Sequence, residues 1–247
     1  MATIFANSNG GVIFNSNHSS HVNARDDSTG NSVNTTSTSL TANTYLIGSS
    51  RGGGSLYRID RIFLYFDTSA ITSTPASATF SIQATLTSVL GNFKIIKSDA
   101  FGGDGGTSLA TSDFDAFPGF SAGNTMASNV TDYCDDTIDA SAWGTSNDYN
   151  DTAINLNSTA LSDMTSNDFF ILAIVNFDYD YKNIDPPVNV TNKLAHYKAS
   201  FTGTSRDPKI VTVASGYAHD VSGLAAASIG KINTVATANV GKVNSLD

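Results

Sequence analysis

Cysteine, charge and long apolar runs are the features that this sequence has least of. One of its 247 residues is a cysteine, Cys134, which excludes an intrachain disulfide and a cysteine-based zinc site. Charged residues make up 14% of the chain, against about 25% in an average domain. The polar character comes instead from serine, threonine, asparagine and glycine, which suit turns and the solvent-facing sides of strands.

The balance of charge argues against nucleic acid as a partner. The formal net charge is −9, and the 13 lysines and arginines form no run. A protein that binds a polyanion needs clustered basic residues that release counterions. We therefore expect no nucleic acid among the partners.

Membrane signals are also missing from the sequence pattern. The stretch Met1 to Ala6 has neither a basic nor an apolar region, so it predicts no secretory signal. The longest apolar run, residues 169–175, is too short to cross a bilayer. We expect a protein that is made in a cytoplasm and has no membrane as partner; if it acts outside a cell, assembly into a virus particle released by lysis is one route.

Short apolar segments separated by Gly, Asn and Asp predict an all-β protein. Residues 58–67 predict a strand, and over residues 62–66 apolar side chains fall on both of its faces, which predicts a central strand. Residues 15–44 are predicted as a long loop or weak edge strands, and residues 98–150 as long loops pinned by aromatic anchors. A single helical turn is predicted after Asn157. Other strands are predicted at residues 5–14, 77–87, 93–97, 152–157, 169–179, 193–201 and 208–213. This pattern is typical of a jelly-roll-like antiparallel β-sandwich, here residues 1–214.

Residues 215–247 have a different character and contain an internal repeat. The motif Ile229-Gly-Lys-Ile-Asn233 recurs eleven residues later as Val240-Gly-Lys-Val-Asn244. A repeated segment with too little apolar surface to fold alone predicts a docking tail; the alternative is a frayed tail. The interaction residues predicted in it are Ile229, Ile232, Val235, Val240, Val243 and Leu246.

Acidic side chains gather in residues 176–185. Strand alternation would place Asp178 and Asp180 on one side of a strand end, with Asp185 following. Carboxylates placed in this way could ligate calcium or form a glycosidase pair, and a polar strand exit without a ligand is the third interpretation. We predict no catalytic residue, and no cofactor other than calcium at this cluster.

Aromatic side chains offer a second kind of candidate site. Tyr179, Tyr181 and Trp143 would bind sugar rings by stacking if they are exposed to solvent. Core packing and the anchoring of loops are the commoner roles of such rings.

Residues 57–213 resemble the DNRLRE-type β-sandwich. The resemblance rests on residues 57–71, which contain an arginine and a closing Phe-Asp pair, on the strand at residues 78–86, and on Pro208 before the closing strand. The middle Trp-Asn motif of that family has no clear counterpart, and Trp143 is the nearest. The resemblance implies a β-sandwich associated with surface attachment and with carbohydrate-binding-like modules.

The repeat in the tail resembles the Ile-Gly-Lys-Ile-Asn repeats of virion-associated proteins of tailed bacteriophages. The two resemblances imply a non-enzymatic virion structural protein: a head decoration, a fibre or a tail accessory component that acts by assembly and surface attachment. The expected partners are further copies of the chain, other virion proteins and a cell-surface glycan. The alternative is a carbohydrate-binding or adhesin module assisted by calcium. A glycan hydrolase is the third possibility, and it needs two carboxylates about 5–9 Å apart.

Overall fold

Two antiparallel β-sheets pack face to face and form the body of the protein. The computed structural model describes residues 1–47, 56–85, 90–139, 142–143, 149, 154–189, 191–198, 204–215, 231–232 and 235–236. Within these ranges the strands dominate and the helices are short. The predicted all-β sandwich is confirmed.

The strands are ordered differently in space and in sequence. The sandwich contains β1 (Ala2–Phe5), β2 (Gly11–His18), β3 (Ser32–Asn34), β4 (Ser39–Ile47), β5 (Leu56–Asp67), β6 (Ser77–Ser81), β7 (Phe93–Lys97), β8 (Ile154–Asn155), β9 (Phe169–Asn176), β10 (Thr191–Tyr197) and β11 (Lys209–Val213). The smaller sheet has the order β1–β11–β6–β8. The larger sheet has the order β10–β4–β5–β2–β3, and β9 joins it through β5 and carries β7.

Strand β5 holds the larger sheet together. It pairs with β2 through residues 57–63, with β4 through residues 56–59 and with β9 through residues 62–67. The predicted central strand is therefore confirmed. Its side chains alternate as the sequence predicted, with Ile62, Leu64 and Phe66 in one core and Ile59, Phe63 and Tyr65 in or against another.

The larger sheet is covered on both faces. Between the sheets lies the main core, to which the smaller sheet contributes Phe80 and Ile210. On the opposite face, Phe101 and Phe114 from the irregular segment after β7 pack in a second core with Ala24 of helix α1 (His21–Arg25). A strand buried on both faces needs apolar residues throughout, which explains the continuous apolar runs of β5 and β9.

Aromatic side chains anchor the irregular segment, as the sequence predicted. Phe101 and Phe114 are fully buried, and Phe117 and Trp143 are 4% and 3% exposed. Phe120 is half-buried and packs against Phe117, with ring centroids 6.0 Å apart. Because burial of one such side chain contributes about 1.5–3 kcal/mol, a few rings suffice to hold a long segment on the sheet.

Residues 15–44 are more ordered than the sequence predicted. Strand β2 continues to His18, and α1 follows the N-cap Ser20, whose Oγ accepts a hydrogen bond from Asn23 N at 3.2 Å. Strand β4 then buries Leu40 and Ala42 in the main core. The prediction of a long loop was wrong, because small polar residues between the apolar ones hid the alternation; the short β3 at the edge of the larger sheet agrees with the alternative of weak edge strands.

The second helix, α2 (Ser158–Ser166), is longer than the single turn predicted. Its N-cap is Asn157, whose Oδ1 accepts a hydrogen bond from Ala160 N at 3.1 Å. Ala160 and Met164, four residues apart on one face, enter the main core. None of the helices among the described residues has the length and apolar character needed to span a membrane.

The last strand of the body, β11, ends at Val213, and Ser215 Oγ donates a hydrogen bond to Thr74 O at 3.1 Å. Further along, β12 (Lys231–Ile232) and β13 (Val235–Ala236) form a two-stranded antiparallel sheet that is separate from the other two. Two of the predicted interaction residues, Ile232 and Val235, belong to these strands. The other four, Ile229, Val240, Val243 and Leu246, lie outside the described residues.

Candidate functional site

The acidic cluster predicted to bind calcium lies just after β9, where Phe177–Tyr181 form a π-helical turn. Asn176 begins the turn, and its Oδ1 accepts a hydrogen bond from Tyr179 N at 2.8 Å. A helical turn projects its side chains around an axis, whereas a strand would put Asp178 and Asp180 on the same side. The strand alternation predicted for these two residues was therefore wrong.

Asp180 lies between two buried arginines. Arg61 donates from Nε to Oδ2 and from Nη2 to Oδ1 of Asp180, at 2.8 Å each. Arg25 Nε donates to the main-chain oxygen of Asp180 at 2.6 Å, and none of the three side chains has exposed surface. A bidentate arginine contact occupies both carboxylate oxygens. Asp180 is thus the counter-ion of the arginines, which corrects its predicted role as an open calcium ligand.

Arg25, Arg61 and Asp180 together are termed the arginine clamp below. Arg61 Nη1 donates to Phe114 O at 2.8 Å, and Arg25 Nη2 donates to Asn124 O at 2.8 Å. The Arg61 guanidinium also lies 4.0 Å from the centre of the Phe114 ring. A cation–π contact removed from water contributes about 2 kcal/mol. The clamp therefore fastens the irregular segment and α1 to the larger sheet.

The other two predicted calcium ligands have different partners. Asp178 accepts hydrogen bonds from Asn92 N at 3.0 Å and from Asn192 Nδ2 at 2.7 Å. The exposed Asp185 lies 3.3 Å from His21 Nδ1. Within the described ranges, no three His, Cys, Asp or Glu side chains are grouped so that they could hold a metal ion. The structure does not bring the three predicted carboxylates together.

Two of the three rings predicted to stack on sugars are buried. Tyr181 is 5% exposed and stacks on Phe177, with ring centroids 5.4 Å apart. Trp143 is 3% exposed and meets Phe93 edge-on at 5.9 Å. Tyr179 is half-buried. Rings in core positions do not offer a face to a sugar, which corrects the prediction for Tyr181 and Trp143.

A cleft opens between the edges of the two sheets. One wall is β8 with the two residues after it, and the other is residues 134–139, which continue the larger sheet beyond β7. Phe93 and Ile138 exchange main-chain hydrogen bonds of 2.8 and 3.0 Å in that wall, and Asn157 N donates to Tyr133 O at 2.9 Å where the walls meet. The cleft, termed the edge cleft, is lined by residues 134–139, 142 and 154–157.

The edge cleft has the size of a ligand site, an apolar floor and an acidic rim. Its volume is 610 Å³, within the range of about 300–1,000 Å³ that is common for ligand sites. The floor contains Ile138, Ile154 and Leu156, which are at most 6% exposed and belong to the main core. The rim carries three exposed carboxylates, those of Asp135, Asp136 and Asp139.

A buried lysine lies beneath the rim. Lys94 Nζ donates to the main-chain oxygen of Asp135 at 2.8 Å and pairs with Asp132 Oδ2 at 3.1 Å. Asp132 also accepts a hydrogen bond from Tyr181 Oη at 2.8 Å, and burial raises the pKa of Tyr181 further above its usual range. Lys94 is paired with Asp132, so this lysine does not match the charges of Asp135 and Asp136 on the rim. The edge cleft therefore favours a ligand with a cation and an apolar part.

Cys134 is a packing residue of the cleft. Burial raises the pKa of its thiol to about 11, and its Sγ donates to Asp136 O at 3.4 Å. The thiolate is the reactive form of cysteine, so a thiol that stays protonated at neutral pH is a poor nucleophile.

Sequence reasoning found neither the arginine clamp nor the edge cleft. A signal for the clamp was present, because Arg61 stands within the apolar run of β5 and a charge in a central strand needs a buried partner. For the cleft the sequence shows acidic neighbours around Cys134. It does not show that residues 134–139 pair with β7 and face β8, because those contacts join distant parts of the chain.

Fold and site together define a class, namely an antiparallel β-sandwich with an acidic cleft at one edge. No family model matches the chain, and no curated protein matches it at a significant level. The resemblances to the DNRLRE-type sandwich and to the phage tail repeats stay predictions.

Proposed function

We propose that this protein is a non-enzymatic structural component of a bacteriophage virion, a head decoration, fibre or tail accessory protein. The observation that carries the proposal is the set of outer strands: β1 and β8 flank the smaller sheet and β3 flanks the larger one. An outer strand presents main-chain donors and acceptors along its free side, and these pair readily with another chain. The protein therefore acts by assembly and surface attachment.

The interior of the sandwich suits a load-bearing part. The larger sheet is packed on both faces, and the arginine clamp ties the irregular segment to it. Because close-packed interiors resist compression and transmit strain, such a body keeps its shape while its edges make contacts.

The partners that we propose are further copies of the chain, other virion proteins and a cell-surface glycan. Homo-oligomers usually have closed symmetry, which turns one self-complementary edge into a ring. In a ring, contacts that are weak singly act together, because the later contacts form at a high effective concentration. Adhesion then needs no deep pocket for a single ligand.

Two measurements test this function. Light scattering coupled to size-exclusion chromatography should show oligomers, and negative-stain microscopy should show rings or filaments. Mass spectrometry of particles released by lysis from cells that carry the gene should find the chain in the particles. A chain that stays monomeric and is absent from the particles would overturn the proposal.

A glycan array tests the attachment role separately. We expect weak binding that becomes measurable when the protein is displayed in many copies. Binding that disappears when a chelator removes calcium would favour the calcium-assisted adhesin instead.

A further inference from the structure

We propose that the edge cleft binds the C-terminal repeat, residues 229–244, of a neighbouring copy of this chain. This inference rests on the proposed assembly function and names the segment that links one copy to the next. It is carried by the chemistry of the cleft, by an outer strand beside it, and by the number of motifs in the tail.

The chemistry of the two surfaces is complementary. The edge cleft joins an apolar floor to a rim that carries the exposed carboxylates of Asp135 and Asp136. The charged residues of the segment 229–244 are Lys231 and Lys242, each followed by an apolar residue, Ile232 or Val243. The whole chain has a net charge of −9, whereas the segment 229–244 contains two lysines and no acidic residue. An ammonium group at the rim and a branched side chain on the floor would satisfy both parts of the cleft.

The backbone on both sides suits strand addition. Strand β8 forms one wall of the edge cleft and is an outer strand of the smaller sheet. The repeat supplies extended backbone at β12 and β13, which pair with each other and belong to neither sheet of the body. An extended segment that adds to a sheet edge gains affinity from main-chain hydrogen bonds and specificity from alternate side chains.

The tail leaves the body within reach of a cleft. Ser215 Oγ donates a hydrogen bond to Thr74 O. Thr74 Oγ1 in turn lies 3.2 Å from Thr165 Oγ1 in the last turn of α2. The first turn of α2 follows Asn157, which lines the edge cleft. The residues between this exit and the repeat, 216–228, span up to about 45 Å when extended.

The number of motifs decides between binding within a chain and between chains. The tail contains two copies of the motif, around Lys231 and Lys242, and the described residues form one edge cleft. When one motif fills a cleft, the other is left for a second cleft, which belongs to another copy. The repeat therefore links copies into an assembly, and the spacing of eleven residues limits how far apart two clefts lie.

Sedimentation velocity of full-length variants tests the docking. The cleft variant carries Asp135→Asn and Asp136→Asn, and the tail variant carries Lys231→Ala and Lys242→Ala. Each variant loses two exposed charge pairs, so we expect self-association to weaken about tenfold in each. The control variant, Asp168→Asn with Asp185→Asn, makes the same charge change at exposed sites outside the cleft and should associate like the wild type.

A mixing experiment gives the sharper result. The cleft variant keeps an intact tail, and the tail variant keeps an intact cleft, so an equimolar mixture should recover association although neither variant associates well alone. The recovered species should contain both variants, which a mass tag on one of them would show. Circular dichroism of each variant should match the wild type, since the four substituted positions are exposed or lie in the tail.

The outcomes separate this docking from the assembly function. If the wild type associates and both variants associate equally well, the docking is overturned and the proposed function stands. If the mixture stays dissociated, the link between copies is overturned. If the wild type is monomeric at every concentration, the docking and the proposed function both fail.

Discussion

At the scale of single residues, the arginine clamp has the strongest local effect on the fold. Two arginines and one aspartate are removed from water there, and their attraction offsets desolvation only while the pairing is complete. Asp180 is the anion that both guanidinium groups contact. The loss of its charge would leave Arg61 without the carboxylate that it contacts, whereas Arg25 would keep its ion pair with Asp26.

Asp180→Asn should therefore lower the free energy of unfolding by about 3–5 kcal/mol, the usual cost of breaking a buried ion pair. Urea unfolding followed by tryptophan fluorescence measures the change. Asp185→Asn is the matched control, because Asp185 is exposed and its pair with His21 should contribute at most about 1 kcal/mol. Equal effects of the two substitutions would contradict the role given to the clamp.

His196 is a second residue whose charge matters to stability. It is fully buried in β10, its Nδ1 lies 2.8 Å from Tyr197 O, and burial lowers its pKa from 6.5 to about 4. Between these two pH values the unfolded chain takes up a proton that the folded chain does not. The contribution of His196 to stability is therefore present above pH 6.5 and is lost as the pH falls toward 4.

The free energy of unfolding, measured from pH 7 to pH 4 for the wild type and for His196→Gln, tests this effect. We expect the wild type to lose up to about 3 kcal/mol more than the variant over that range, since one pKa unit corresponds to about 1.36 kcal/mol. Parallel curves for the two proteins would show that His196 does not cause the loss.

At the scale of elements, an irregular segment forms a third layer on the larger sheet. Residues 98–130 cover the outer face of the larger sheet without a strand or an α-helix of their own. Their course begins with a tight turn in which Phe101, Gly102, Gly103 and Gly105 all have positive φ angles. The turn brings the main chain against the ring of Tyr65 in β5.

Gly105→Ala should destabilise the protein more than Gly103→Ala. Both glycines have a φ of +82°, but a Cβ at Gly105 would overlap the Tyr65 ring, whereas a Cβ at Gly103 would meet nothing within 4 Å. We expect a cost of about 1 kcal/mol at Gly103 from backbone strain and about 2–4 kcal/mol at Gly105 from strain and overpacking.

Thermal unfolding measures this difference, because 1 kcal/mol shifts the Tm of a domain of this size by about 2–4 °C. Equal shifts for Gly103→Ala and Gly105→Ala would mean that Tyr65 moves aside without cost.

At the scale of the whole molecule, our two proposals give separate roles to the body and the tail. The last strand of the body ends at Val213, and the β12–β13 pair forms a sheet of its own. The boundary near residue 214, between the sandwich and the tail, stays a prediction.

If the tail docks on a neighbouring copy as proposed, a chain that ends after Ser215 should keep the stability of the full-length protein within about 0.5 kcal/mol. It should also lose the self-association proposed above. Urea unfolding and sedimentation velocity measure the two properties. A large loss of stability would show that the tail packs against its own sandwich.

Strand positions with a strong alternation were predictable from the sequence. Strands β5, β7, β9 and β11 fall where apolar residues alternate or run continuously, and the aromatic anchors were predicted with them. Strand β4 was missed because its apolar residues are spaced among Thr and Asn. Helix α2 was predicted from its N-cap, but its length depends on the contacts of Ala160 and Met164 with the main core.

The sequence alone determined the all-β class and the two-faced burial of β5, because side-chain period and apolarity are local properties. The tertiary structure decided which polar groups contact each other and which side chains are buried. It matched Asp180 with Arg25 and Arg61, buried Tyr181 and Trp143, and placed the carboxylates around Cys134 along a cleft between two sheet edges. The pairings of Asp180 join residues that are 155 and 119 positions apart in the chain. Their energies depend on burial and distance, which local sequence does not encode.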